Sequence, residues 1–192
     1  MNRFLNALTM VASAACVVVA AGPARGEDLS QTVMLVASSA LDGTPLEQTV
    51  ILAAPSRDGG HLGFIINRPT TTRLDVLFPD ESAVRAVAEP VFFGGTAMLP
   101  AVFAVTRSSP PDGRVIPLLP GLFAVLDANG VDRLIAAAPN DARYFVGLMT
   151  WGTGELERQV GDRIWETQPA DAELVLRRQT RGMWNALRGS WV

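Results

Sequence analysis

The chain has 192 residues, a formal net charge of -3, arginine as its only strongly basic residue type, one cysteine (Cys16) and one histidine (His61). These counts exclude a multi-histidine metal site and lysine Schiff-base chemistry, and any nucleophile–histidine–acid triad would have to use His61. The length suits one domain with a substantial core, and the acidic balance argues against general affinity for nucleic acid.

Asn2, Arg3 and Asn6 precede an uncharged apolar run at residues 7–22, and Ala24-Arg25-Gly26 follows as a small-x-small pattern before Glu27. A short polar start, a short apolar centre and a small-residue exit predict a secretory signal over residues 1–26, cleaved to leave one domain at 27–192. A membrane span needs about 20 apolar residues, more than this run offers. Cys16 does not fit a lipoprotein signal, because Ser13 stands where such a signal carries Leu, Val or Ile. A start at Met34 would cut the first strand. Cleavage removes Cys16, and with it any disulfide or thiol nucleophile. It also moves the formal charge to about -5, since Arg3 and Arg25 leave and no acid does. The expected location is the periplasm.

Residues 31–37 and 48–54 read as strands joined by a Gly43-Thr44-Pro45 turn, and residues 55–60 as a polar loop. Residues 62–67 form a nearly all-apolar strand, expected to be buried on both faces. Pro69 biases Arg68 toward extended backbone. Residues 74–78 suggest a helical turn and 82–88 a short helix. Residues 91–93 read as a strand ending in Gly94-Gly95, then 101–106 as another, then 108–113 as a proline-rich loop. Residues 122–126 are a strand. Val131, Leu134, Ile135 and Ala138 recur at helical spacing before Pro139. Residues 144–149 are an apolar strand, 154–160 a short helix, 163–165 strand-like, 170–176 ambiguous, and 181–187 a terminal helix with Trp184 and Leu187 inward. Strands and helices mix without steady βαβ alternation, which predicts an α+β fold. The sequence has neither a G-x-G-x-x-G nor a G-x-x-x-x-G-K-[ST] pattern, so neither a dinucleotide nor a P-loop site is supported.

Four motifs in order resemble those of the AlgH/YqgE family. Residues 62–69 resemble its G-x-[VI]-[IL]-N-[RK]-P strand and turn, and Phe93-Gly94-Gly95 its F-G-G turn. Residues 145–157 resemble its strand ending in W-G-x-G-[QE]-L-E. Trp165 with Pro169-Ala170-Asp171 resembles its tryptophan followed by P-A-D. Order and spacing agree from about residue 31 to the Trp184 helix. The resemblance implies a compact α+β domain whose mixed, mainly antiparallel, bifurcated sheet folds into a pseudo-barrel with flanking helices. It also implies a link, in some members, to transcriptional regulation, notably of alginate production. This chain departs from the family in its export signal, in Thr96 where proline is usual, and in Glu155 where glutamine is usual.

The candidate binding surface comprises Asn67 and Arg68, then Gly94 and Gly95, then Trp151, Gly152, Thr153, Gly154 and Glu155. Asn67 offers a donor and an acceptor, and Arg68 a fork for carboxylate or phosphate. Turn chemistry alone also accounts for Asn67 and Pro69, and is the favoured reading there. Glycines beside Trp151 would let a partner approach the backbone; a strand-to-helix corner with Thr153 as N-cap and Trp151 in the core is the favoured alternative. Glu155 and Glu157 diverge on a helix and make no catalytic pair. His61 is expected to be a solvated loop residue. Arg177, Arg181 and Arg188 are expected to form a solvated helical face, with Glu173 pairing Arg177. No metal or cofactor is expected. The leading expectation is an exported, non-catalytic binding or regulatory domain for an unknown envelope protein or small ligand. A hydrolase using Glu155, Asp162 or His61 near Trp151 comes second, and a nucleic-acid-associated regulator third.

Overall fold

The computed structural model describes residues 28–108 and 113–189. The signal expected at residues 1–26 and most of the proline-rich loop lie outside the described residues.

The first three strands are β1 (Val33–Ala37), β2 (Val50–Pro55) and β3 (His61–Ile65), an antiparallel meander. Successive side chains on a strand point to opposite faces. Met34, Val50, Leu52, Ala54, Leu62 and Phe64 thus enter one apolar cluster, and Val33, Leu35, Ala37, Ile51, Ala53 and Ile65 another. Both faces are buried, as the nearly all-apolar run of residues 62–67 predicts for β3.

After β3 the chain forms β4 (Pro69–Arg73), α1 (Leu74–Leu77), a 3-10 turn (Ser82–Ala86) and β5 (Pro90–Phe93). Then come β6 (Ala97–Thr106), β7 (Val115–Leu119), β8 (Leu122–Val125), α2 (Ala128–Ala137) and β9 (Ala142–Trp151). The chain closes with α3 (Glu155–Gly161), β10 (Trp165–Pro169), α4 (Ala172–Val175) and α5 (Met183–Arg188). The main path through the sheet is β10-β1-β2-β3-β9-β6-β8-β7, and β4–β5 branches from β9. The β5–β9 pairing is parallel; the other pairings are antiparallel. This curled sheet makes a half-barrel with a few helices, the α+β single domain that the resemblance implies.

Strand β9 is where the sheet divides. It pairs with β6 through residues 142–146 and Leu148, with β5 at Phe145 and Val146, and with β3 at residues 149–151. Phe145 lies 5.0 Å from the Phe64 ring and 5.9 Å from Phe92, which joins the strands through one aromatic cluster. A fully buried ring of this kind contributes about 2 kcal/mol. The branch also needs close backbone approach. A Cβ on Gly94 would stand 2.3 Å from the Gly147 carbonyl oxygen, and one on Gly147 2.3 Å from that of Gly95. Gly147 has φ +68°, open to glycine and costly for other residues.

The sequence reading differs from the structure in several places. β4 and β7 were not expected: β4 is the partly exposed Pro-Thr-Thr-Thr-Arg segment, and β7 carries Pro117. β10 covers residues 165–169 rather than 163–165, because Arg163 takes a left-handed turn at φ +58°. Residues 172–175 are helical, started by Asp171, whose carboxylate accepts the Glu173 N–H. The terminal helix starts at Met183 rather than residue 181, since left-handed Gly182 breaks the turn. Trp184 and Leu187 do face inward. α2 is capped by Asp127, whose side chain accepts the Gly130 N–H, and it buries Val131, Leu134 and Ile135.

Gly147→Ala should lower stability in urea unfolding by more than about 3 kcal/mol, whereas Gly161→Ala, with open space at its Cβ, should change it by less than about 0.5 kcal/mol. Asp127 is held below the ordinary carboxylate range by the Gly130 and Arg114 N–H groups it accepts. A lowered carboxylate stabilises the fold above its unfolded value and loses that contribution on acidification. Between about pH 5 and pH 2 the native protein should therefore lose more stability than Asp127→Asn, measured by thermal unfolding.

Candidate functional site

Asn67 and Arg68 build a corner. Asn67 accepts the Val50 N–H at 2.9 Å and donates to the Gln48 carbonyl at 2.8 Å. Arg68 donates through Nη2 to the Glu47 carbonyl at 2.6 Å and to the Thr49 hydroxyl at 3.1 Å. The pair thereby fixes the entry to β2, where Gln48 sits at φ +55°. Phe93 donates its N–H to the Arg68 carbonyl, and Ile65 to that of Gly94. The corner and the Gly94-Gly95 turn are therefore neighbours.

The Trp151 corner lies farther along β9. Glu155 accepts the Gly152 N–H at 2.9 Å and the Gln159 side-chain amide at 3.3 Å. The amide oxygen of Gln159 accepts both indole N–H groups, from Trp151 at 3.0 Å and Trp165 at 2.9 Å. Trp151 and Trp165 are both buried, so one glutamine satisfies two donors that burial would otherwise leave unpaired. Thr153 is not the N-cap. Gly154 takes that position at φ +73°, and the Glu155 carboxylate reaches back to accept the Gly152 N–H. Gly59 and Gly60 pack against Thr153 and the Trp151 carbonyl.

His61 is buried rather than solvated. It opens β3 opposite Trp151, and its Nε2 donates to the Leu29 carbonyl at 2.9 Å, while Nδ1 has no partner among the described residues. Asp162 follows the last turn of α3, and the other acid of the hydrolase reading, Glu155, starts that helix. Burial, and then nearby Asp141, raise the Tyr144 phenol well above its ordinary range. The arginine face does not form on one helix. Arg177 follows α4, Arg181 lies in the turn before α5, and Arg188 pairs with Glu166 at 3.3 Å. Glu173 pairs with Arg107 at 2.5 Å instead of with Arg177.

Two clefts lie against the C-terminal segment. One, of about 380 Å³, joins Glu47, Gln48 and Asn67-Arg68-Pro69 to residues 180–185, including Arg181, Trp184 and Asn185. The other, of about 420 Å³, is lined by Glu89, Arg107, Asn140, Asp141, Arg143, Glu173 and Arg178 among others. The Trp151–Glu155 corner lines neither. The sequence reading missed Arg143, Gln159 and Arg178. An arginine directly before the apolar run at 144–149 was the available signal for Arg143; for Gln159 it was the spacing to two tryptophans.

The AlgH-like family model matches residues 34–190. The chain belongs to the AlgH-like family. It is 27% identical over 131 residues to a UPF0301 protein of Thioalkalivibrio sulfidiphilus, covering 66% of this chain and 70% of that one. It is 33% identical over 122 residues to a UPF0301 protein of Bordetella petrii, covering 60% of each. The fold is similar to the solution structure of AlgH from Pseudomonas aeruginosa, with a TM-score of 0.67, 22% identity, and 84% of this chain and 88% of that one covered. A crystal structure of a Corynebacterium diphtheriae protein gives 0.69 at 16% identity, with 88% and 90% covered. In this AlgH-like chain the W-G-x-G-[QE]-L-E and tryptophan motifs meet as one hydrogen-bonded clamp through Gln159.

Glu155→Gln should change stability by less than about 1 kcal/mol, because an amide oxygen can still accept the Gly152 N–H and only the longer, 3.3 Å hydrogen bond from Gln159 is lost. Gln159→Ala should cost about 2–4 kcal/mol, since it strips the acceptor from two buried indoles. Chemical denaturation of both variants checks the pair.

Proposed function

We propose that this AlgH-like chain is an exported, non-catalytic binding or regulatory domain of the periplasm, and that the cleft beside Asn67 and Arg68 receives an acidic segment of an envelope protein. The carrying observation is that Arg68 and Arg181, from distant parts of the chain, line one cleft. Both hydrogen bonds of Arg68 come from Nη2, and Arg181 has no ion-pair partner among the described residues. The one acid lining the cleft, Glu47, accepts the Gly43 N–H. Arginine forks suit carboxylates, and Pro69 and Trp184 supply apolar contact beside them.

Support for a non-catalytic role comes from how the motif residues are used. Asn67 spends its oxygen and nitrogen on backbone, and both oxygens of Glu155 hold the Trp151 corner. The hydrolase reading gains nothing from this arrangement. Support for export is the pattern of residues 1–26, together with the net acidic charge that weighs against nucleic acid. Among the described residues, no helix is long and apolar enough to cross a membrane.

The test has two parts. Fractionation with intact-mass measurement should find a periplasmic form beginning near Glu27. A hexaglutamate peptide titrated by calorimetry should bind with an affinity that falls with salt, and Arg181→Ala should weaken it about tenfold. A cytoplasmic form retaining residue 1 would refute export; equal affinity for Arg181→Ala would refute the cleft.

A further inference from the structure

The second cleft is built on a buried charge. Arg143 lies on β9 opposite Val105 and is 2% exposed. It donates to the Val175 and Arg177 carbonyls at 2.6 and 2.7 Å, and its guanidinium carbon stands 4.2 Å over the Phe92 ring. Glu89 is its carboxylate partner at the longer distances of 3.3 and 3.4 Å, and is itself 27% exposed. The two carbonyls come from the segment that begins at α4, and that segment also contributes Glu173, Leu176 and Arg178 to the cleft wall. Arg143 thus fixes one wall of the cleft.

The remaining charges give the cleft its chemistry. Three arginines (Arg107, Arg143, Arg178) face three acids (Glu89, Asp141, Glu173), so the lining is formally neutral. A ligand of one sign gains little from such a lining. Arg107 is satisfied by Glu173, and Arg143 by Glu89. Arg178 and the Asp141 carboxylate make no hydrogen bond or ion pair among the described residues, and they do not meet each other. One unpaired cation and one unpaired anion therefore share a cleft without touching. A molecule with opposite charges at its two ends can satisfy both. The volume, about 420 Å³, suits something of dipeptide size.

We propose that this cleft binds a small zwitterion of the amino-acid or dipeptide type, its carboxylate on Arg178 and its ammonium on Asp141. The forked arginine accommodates the carboxylate through paired N–H donors, and the aspartate accepts from the ammonium. The cleft is distinct from that at Asn67 and Arg68, so this inference stands or falls independently of the acidic-segment reading.

Calorimetric titration of the mature chain with L-alanyl-L-alanine tests it. The expected result is one saturable site with Kd of about 1 mM or tighter. Arg178→Ala and Asp141→Asn should each weaken binding at least about tenfold while leaving the melting temperature unchanged, since both side chains are unpaired. Arg181→Ala, in the other cleft, should bind as the native protein does. The peptide capped by acetyl and amide groups should not bind. Absence of binding at about 10 mM peptide, equal affinity in both cleft variants, equal binding of the capped peptide, or loss of binding in Arg181→Ala would each overturn the assignment.

Discussion

Strand β9 has three neighbouring strands, and it can hold them because three glycines carry no side chain where the backbones cross. Gly94 and Gly95 pass Gly147 so closely that a Cβ on any of them would meet carbonyl or backbone atoms at 2.3 Å. With that crossing in place, β5 can run parallel to β9 on the edge that β3 takes up farther along. The crossing puts Phe92, Phe145 and Phe64 within one ring cluster. It also brings the Arg68 carbonyl to the Phe93 N–H, so the Asn67-Arg68 corner inherits its position from the glycine crossing.

Much of this was legible in the sequence, for reasons particular to each segment. The runs of β1 and β2 announce strands because they are continuous, apolar and carry β-branched residues, and burial on both faces of these strands and of the nearly all-apolar β3 follows from having no polar alternation. α2 is read from its 3.6 period and from Pro139 beyond it. β4 and β7 were not legible. Their pairing comes from β5 and β8, partners that no local pattern names. The candidate site was legible as a set of residues but not as a set of roles. Asn67, Arg68 and Glu155 have polar groups that a ligand could use, and the fold uses most of them on its own backbone. What gathers Arg68 with Arg181, or Arg178 with Asp141, is the return of the C-terminal segment across the sheet, and sequence distance conceals it.

That C-terminal segment links frame and function. Arg143 anchors it through two carbonyls, Gln168 donates to the Leu187 carbonyl, and Trp184 donates to the Ala37 carbonyl. Side chains from the sheet and the segment thus hold one another without strand pairing between them. Both clefts lie along this seam, one on each side of residue 179. The family's tryptophan and W-G-x-G motifs join the same body, where Gln159 ties α3 to the ends of β9 and β10.

Locked at its glycine crossing, β9 should be the part of the domain that opens last. Native-state hydrogen exchange of the 145–148 amides measures this most directly. The account predicts that these amides exchange only through global unfolding, with the same free energy as urea denaturation gives. Exchange of these amides by local opening, at free energies like those of the residue 56–60 loop, would contradict it.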